Sequence, residues 1–394
     1  MGRLHRGGAM DRPGRKDQPQ GAGLAPRRTT RLAASGLLVA LIAACGTRGT
    51  IAVAPDATAS GATTMPIIVA SSRAPASAPQ YFTAERSDRT SFATFDVSVP
   101  PDRKPGTIRY PKGRPDPARD FLVTGAAALP DGEAFRRLID SRSAGLAPGR
   151  RKGFVFVHGY NTNFAEALIK DAQLRYDLET PGLGVLYTWP SRAHLTAYLT
   201  DRESALFARE NLAETLRLLS RTRLEGITVF AHSMGTFVTM ESLLAMAQRG
   251  EQAALDRIEA VVLVSADLDI DVFRRQAGPV LAAGVPIHLV VSDDDKALAV
   301  SGFLRGDRKR LGRVRSPAEL GGLDVSIVDV SDVREAGENS HLKIGTSPEL
   351  IALFDNIEEA GVGIFEDRQK TGPLDQSVMV LQGETGLILR PLGE

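Results

Sequence analysis

Ser233 is the residue of this chain best placed to act as a nucleophile. It lies in Val229-Phe230-Ala231-His232-Ser233-Met234-Gly235, where an apolar strand ends on a serine with a small residue two positions away on either side. A serine on so sharp a strand-to-helix turn has a strained backbone, and Ala231 and Gly235 supply the room that strand and helix need. Earlier in the chain, Phe154-Val155-Phe156-Val157-His158-Gly159-Tyr160-Asn161 is a second apolar strand running into a glycine turn and then a helical stretch. Acyl transfer needs donors for a developing oxyanion, and the N–H groups of Tyr160 and Met234, one after each turn, are the expected pair. Either segment alone is also an ordinary strand-to-helix turn. Both together, in this order, point to acyl chemistry.

A serine nucleophile needs a base, and the chain holds six histidines. His5 stands in the leader, His158 precedes the oxyanion turn, His232 is locked beside Ser233, and His288 lies inside the apolar run 286–291. That leaves His194 and His341. His341 follows a polar loop, 335–340, after the strand-like run 324–330, which suits the chain order Ser, Asp, His; it is preferred. The acid that orients the base is expected after a late strand. Asp293, Asp294 and Asp295 follow the run 287–291, and Asp295 is favoured, the other two serving as helix-capping groups. Asp267, one strand earlier, is the alternative acid.

These segments resemble a family of bacterial α/β-hydrolases of unknown function, over about residues 150–357. The resemblance rests on Phe-Val-His-Gly-Tyr-Asn-Thr-Asn at 156–163, Thr-Trp-Pro-Ser-Arg at 188–192, Tyr-Leu-Thr-Asp-Arg-Glu-Ser-Ala at 198–205 and Ala-His-Ser-Met-Gly at 231–235. Asp-Leu-Asp-Ile-Asp-Val-Phe at 267–273, Asp-Lys-Ala-Leu at 295–298 and Asn-Ser-His at 339–341 complete it. It implies an esterase-like or lipase-like hydrolase whose triad falls on Ser233, Asp295 and His341, and it supplies no substrate. An amidase or peptidase with the same triad is the alternative enzyme, and a non-catalytic envelope scaffold the alternative to an enzyme.

Positioning such a triad takes a sheet. From 150 to 360 strand-like runs near 154, 184, 227, 258, 287 and 324 alternate with helical ones near 164, 201, 234, 270, 296 and 348. That alternation predicts an α/β fold with a mostly parallel central sheet and helices on both faces. The connections leave no space for a separate cap domain, although 301–323 is read as a flap. Within 81–150, the stretches 92–99 and 108–110 suggest one or two antiparallel edge strands. Trp189 is expected either to line the pocket or to pack over the sheet, and Arg192 and Arg202 to hold an anionic group or to form surface ion pairs.

The chain of 394 residues is 43% apolar, enough for a large core. Arg27, Arg28 and Arg31 lead into a short apolar run and then Ile42-Ala43-Ala44-Cys45-Gly46, the pattern of a signal peptide too short to span a bilayer. It resembles a lipoprotein signal, with Cys45 the lipidated residue, and Gly46 after it suggests the outer membrane facing the periplasm. The division expected is 1–44 signal peptide, 45–80 lipidated cysteine and flexible tether, 81–362 hydrolase domain with its core at 151–362, and 363–394 a tail, either a hairpin or unordered. Losing 1–44 takes the formal charge from +1 to −5, which argues against nucleic-acid binding. Cys45 is the sole cysteine, so no cysteine metal site is available, and the chemistry calls for no cofactor. The partners expected are an ester substrate and, through Cys45, a membrane.

Overall fold

Eleven strands form one sheet in the computed structural model, which describes residues 48–55, 58–292, 310–330, 377–382 and 386–391. The strands are β1 (Thr63–Pro75), β2 (Phe82–Val99), β3 (Leu122–Leu129), β4 (Lys152–Val157), β5 (Leu183–Thr188), β6 (Gly226–His232), β7 (Ile258–Val264), β8 (Ile287–Val291), β9 (Ser326–Asp329), β10 (Ser377–Gln382) and β11 (Gly386–Pro391). The helices among the described residues are α1 (Gly132–Ala144), α2 (Phe164–Asp177), α3 (Tyr198–Phe207), α4 (Arg209–Ser220), α5 (Gly235–Gln248), α6 (Gln252–Leu255) and α7 (Ile270–Ala282). None of them is long and apolar enough to cross a membrane.

The order across the sheet is β11-β10-β9-β8-β7-β6-β4-β5-β1-β2-β3. From β10 to β1 every neighbouring pair is parallel, while β2, β3 and β11 are added antiparallel at the two ends. The direction of winding reverses at β4, with β5 on one flank and β6 on the other. In parallel sheets that reversal opens a crevice at the carboxyl ends of the strands.

The central strands are mostly apolar because both their faces are covered. Phe154 and Phe156 of β4 and Phe230 of β6 point to the layer holding α2, where they meet Leu186 and Val262. Val155, Val157, Val229 and Ala231 point the other way, to a core built with Phe135 of α1, Leu212 and Leu216 of α4, Val238 and Met240 of α5 and Phe273 of α7. Alternate residues of one strand thereby anchor two helical layers. Helix α2 starts at a reciprocal capping box, Asn163 with Glu166, which fixes where the chain leaves the loop after β4.

In the N-terminal flank the stretch 92–99 lies in the antiparallel strand β2, as expected, and the rest differs from expectation. Residues 63–75, read as part of a flexible tether, are strand β1, and its stretch Ile67 to Arg73 is entirely buried. The small residues Ala70, Ser71 and Ser72 lower the apparent hydrophobicity, yet they are what lets a doubly covered strand lie between β5 and β2. Ile51 is buried too, and Val53 bridges to Val123. Ile108 to Tyr110 forms no strand; β3 lies further on, at Leu122–Leu129. Between 310 and 323 the chain is not a free flap: Leu311 and Leu320 are fully buried, and the N–H groups of Leu311 and Gly312 donate to the Leu268 and Ala266 carbonyls. The helices expected near 296 and 348 lie outside the described residues, as do the proposed signal peptide and Cys45.

Candidate active site

Ser233 stands between β6 and α5 with φ of 53°, in the left-handed region. A non-glycine residue held there costs about 1–3 kcal/mol, so the surroundings must impose it. They do so by direct bonds. The Ser233 N–H donates to the Val264 carbonyl at 2.9 Å, and the Ser233 carbonyl accepts from the Thr236 hydroxyl at 2.6 Å and the Thr236 N–H at 3.1 Å. Gly235 permits the approach of α5 to β4: a Cβ there would stand 2.5 Å from the Val157 carbonyl oxygen and 2.6 Å from that of His158. Ala231 is fully buried behind the turn.

The loop after β4 lies against this elbow. A Cβ on Gly159 would come within 3.0 Å of the Ser233 Cβ and 2.8 Å of His232 Nδ1. Met234 is the N-cap of α5, so its N–H belongs to the positive end of the helix dipole. The Tyr160 ring meets Tyr198 edge to face at 5.3 Å, and its hydroxyl donates to the His194 and Leu195 carbonyls. Left-handed backbone recurs along this rim: Asn161, Ala193, Ser233 and Ser265 follow β4, β5, β6 and β7 in turn, each with φ between 47° and 56°. Strain of this kind concentrates where geometry serves a site.

Beneath the rim is a buried polar network. Arg73, 1% exposed, donates from Nε to Thr188 Oγ1 at 2.9 Å, from Nη1 to the Ser191 and Thr83 carbonyls, and from Nη2 to the Thr162 carbonyl at 2.8 Å. Burial pulls its guanidinium down to about 9, against the attraction of Asp201 and Glu166, so it is charged at neutral pH. Asp201 accepts from the Ser191 hydroxyl at 2.6 Å and the Arg192 N–H at 2.7 Å, and also from the Asn161 N–H. The cation therefore takes carbonyls, and the carboxylate takes amides and a hydroxyl, of the same two loops. His158 is locked among them: Nδ1 contacts the Gly159 carbonyl at 2.9 Å, and Nε2 meets Thr188 Oγ1 at 3.0 Å and the Trp189 N–H at 3.2 Å. Burial, reinforced by the Arg73 charge, pushes this imidazole down to about 3, so it is neutral. Trp189 does not line a pocket; it is fully buried, stacks on His158 at 5.2 Å and donates its indole N–H to the His158 carbonyl.

The favoured acid and base, Asp295 and His341, lie outside the described residues. The strands that lead to them, β8 and β9, run parallel to β6, so both end on the edge of the sheet that carries Ser233. The alternative acid, Asp267, is 2% exposed; its N–H donates to the Ser233 carbonyl at 3.4 Å, and its carboxylate accepts the Tyr198 hydroxyl at 2.6 Å and faces Arg310 Nε at 3.4 Å. The alternative base, His194, caps a short 3-10 turn, accepting from the Thr196 N–H at 3.3 Å. Burial drives His288 down to about 4. Arg192 chelates Glu85, and the Arg202 guanidinium lies 3.4 Å over the Phe237 ring, so both are occupied with protein partners. No group of three or more metal-ligating side chains occurs among the described residues.

Sequence reasoning missed Arg73 and Asp201. Thr188, Ser191 and Asp201 sit within the motifs at 188–192 and 198–205 and were legible to that extent. Arg73 carried no signal, standing alone in a stretch rich in Ala and Ser.

The model of a family described as "Alpha/beta hydrolase of unknown function (DUF900)" matches residues 148–357. No curated protein matches the sequence. Among solved structures, a fungal esterase from Rhizomucor miehei is similar at 11% identity and a TM-score of 0.33, covering 88% of this chain and 93% of its own. Esterase B from Lactobacillus rhamnosis is similar at 11% identity and a TM-score of 0.35, covering 84% and 97%. A cutinase from Trichoderma reesei is similar at 17% identity and a TM-score of 0.24, covering 43% and 79%.

Proposed function

Because this chain belongs to that family of α/β-hydrolases, we propose that it is a serine hydrolase cleaving acyl esters through an acyl-enzyme on Ser233. The observation that carries the reading is the left-handed backbone of Ser233 at the β6–α5 turn, pressed against Gly159 where the winding of the sheet reverses. This is the place and the strain that a nucleophile elbow requires.

In this reading His341 takes the Ser233 proton as Oγ attacks the ester carbonyl, and Asp295 holds the imidazole and stabilises its cation. The Tyr160 and Met234 N–H groups receive the oxyanion, His341 returns the proton to the departing alcohol, and water then releases the acid by the same steps reversed. The test is labelling of the protein with a fluorophosphonate probe, comparing wild type with Ser233→Ala and His341→Ala. Label on the wild type and none on either variant supports the reading; a folded wild type that takes no label overturns it.

We further propose that the enzyme is anchored in the bacterial outer membrane facing the periplasm, with residues 1–44 as the signal peptide and Cys45 lipidated. Its support is the basic and apolar run that ends at Ala44-Cys45-Gly46. Partition of the expressed protein into a detergent phase, lost in Cys45→Ser, is the expected result.

A further inference from the structure

Arg73, Thr188 and His158 form a directed hydrogen-bond chain that ends on the peptide of one oxyanion donor. The direction follows from the donors. Arg73 Nε can only donate, so Thr188 Oγ1 accepts there at 2.9 Å and turns its own hydrogen to His158 Nε2 at 3.0 Å. The Trp189 N–H also donates to Nε2, so that nitrogen carries no proton and the tautomer is Nδ1–H. Nδ1–H then donates to the Gly159 carbonyl at 2.9 Å. That carbonyl and the Tyr160 N–H belong to one planar trans peptide and point in opposite directions, so fixing the oxygen fixes the N–H.

We infer that Arg73, Thr188 and His158 are positioning residues that set the orientation of the Gly159–Tyr160 peptide and, through it, the oxyanion hole. The inference rests on the serine-hydrolase reading above and extends it to a residue outside the family match, since Arg73 precedes residue 148. Every link is buried: Arg73 is 1% exposed, Thr188 fully buried and His158 2% exposed, so water does not compete for these bonds. The remaining Arg73 donors tie the same loops at the Thr162 and Ser191 carbonyls, so the chain starts from a fixed point. His158, the histidine nearest the oxyanion turn in sequence, thus acts as a neutral strut and never as a base.

The test compares wild type, Thr188→Val, His158→Asn and His158→Leu. Fluorophosphonate labelling, kcat and KM on p-nitrophenyl butyrate, and inhibition by a trifluoromethyl ketone that forms an oxyanion adduct are measured together with thermal unfolding. Asparagine places its Nδ2 donor where Nδ1–H stands, whereas leucine removes it. Expected are a kcat lower by roughly 10–100-fold in Thr188→Val and His158→Leu with KM within about threefold, and a Ki for the ketone that rises in proportion to the loss in kcat/KM. His158→Asn is expected to recover about tenfold over His158→Leu. Folded Thr188→Val with unchanged kcat, or variants whose kcat falls while the ketone Ki stays constant, overturns the inference and leaves the serine-hydrolase reading intact. A wild type that takes no label overturns both. If His158→Leu does not fold, Thr188→Val and His158→Asn decide the matter by the same ratio of Ki to kcat/KM.

Discussion

At Ser233 a strained strand-to-helix turn and the local sterics coincide, which is why the turn was legible from a few residues. Gly235 is the clearest case. Its missing Cβ would meet two backbone carbonyl oxygens, so Gly235→Ala must push α5 off β4, and the variant is expected to lose about 1–3 kcal/mol by urea unfolding together with its fluorophosphonate labelling. His158 yields a prediction of a different kind. Burial holds its folded pKa at about 3, below the ordinary value of 6.5, so the stability it carries is complete above pH 6.5 and is lost as pH falls toward 3. At pH 5 the loss is about 2 kcal/mol, and His158→Asn should flatten the difference in unfolding midpoint between pH 7.5 and pH 5. Arg73 was illegible because nothing near it in sequence explains it. Apart from the Thr83 carbonyl, 10 residues on, its side-chain partners Thr188, Ser191 and Thr162 lie 115, 118 and 89 residues away, and no local pattern reveals a buried cation that the fold assembles.

Among the elements, the parallel core and the antiparallel strand at 92–99 were readable, and β1 was not. Strands β4 to β9 are largely apolar runs between turn residues, a pattern that double burial favours. Strand β1 is just as buried, but Ala and Ser fill its middle, so composition imitates a linker. Of the site, Ser233 and Gly159 meet as their motifs implied, whereas the engagement of Asp267 by Tyr198 depends on a contact between elements that no spacing discloses. Helix α2 shows a further effect of burial. Asp171 is fully buried, with no hydrogen-bond partner for either carboxylate oxygen among the described residues; burial raises its pKa to about 7, against the pull of Arg175. Its raised folded pKa means that the contribution to stability is present below about pH 4 and is lost as pH rises toward 7. Asp171→Asn should therefore melt several degrees higher than wild type at pH 8, with the gap closing toward pH 4 in the same thermal scan.

For the molecule as a whole, the segment that matches the family does not contain the whole sheet. The match begins at residue 148, yet β1 covers β5 from Ile67 to Ser71, and β2 and β3 extend the sheet beyond it. A chain beginning at residue 148 would bare the β5 edge, an open template for strand pairing, and would lose Arg73 as well. It should elute as aggregate in size-exclusion chromatography, whereas a chain beginning at Gly49, where the compact unit starts, should elute as a discrete species. The position of β1 also has a consequence in time. Ile67 pairs with Gly184, so β1, the first strand among the described residues, has its parallel partner 117 residues downstream. At about 5–20 residues per second, roughly 6–23 seconds of translation separate the two. Through that interval Ile67, Ile68 and Val69 have no parallel partner to cover them, and whatever shields that stretch as it emerges bears on how much of the protein reaches its native state.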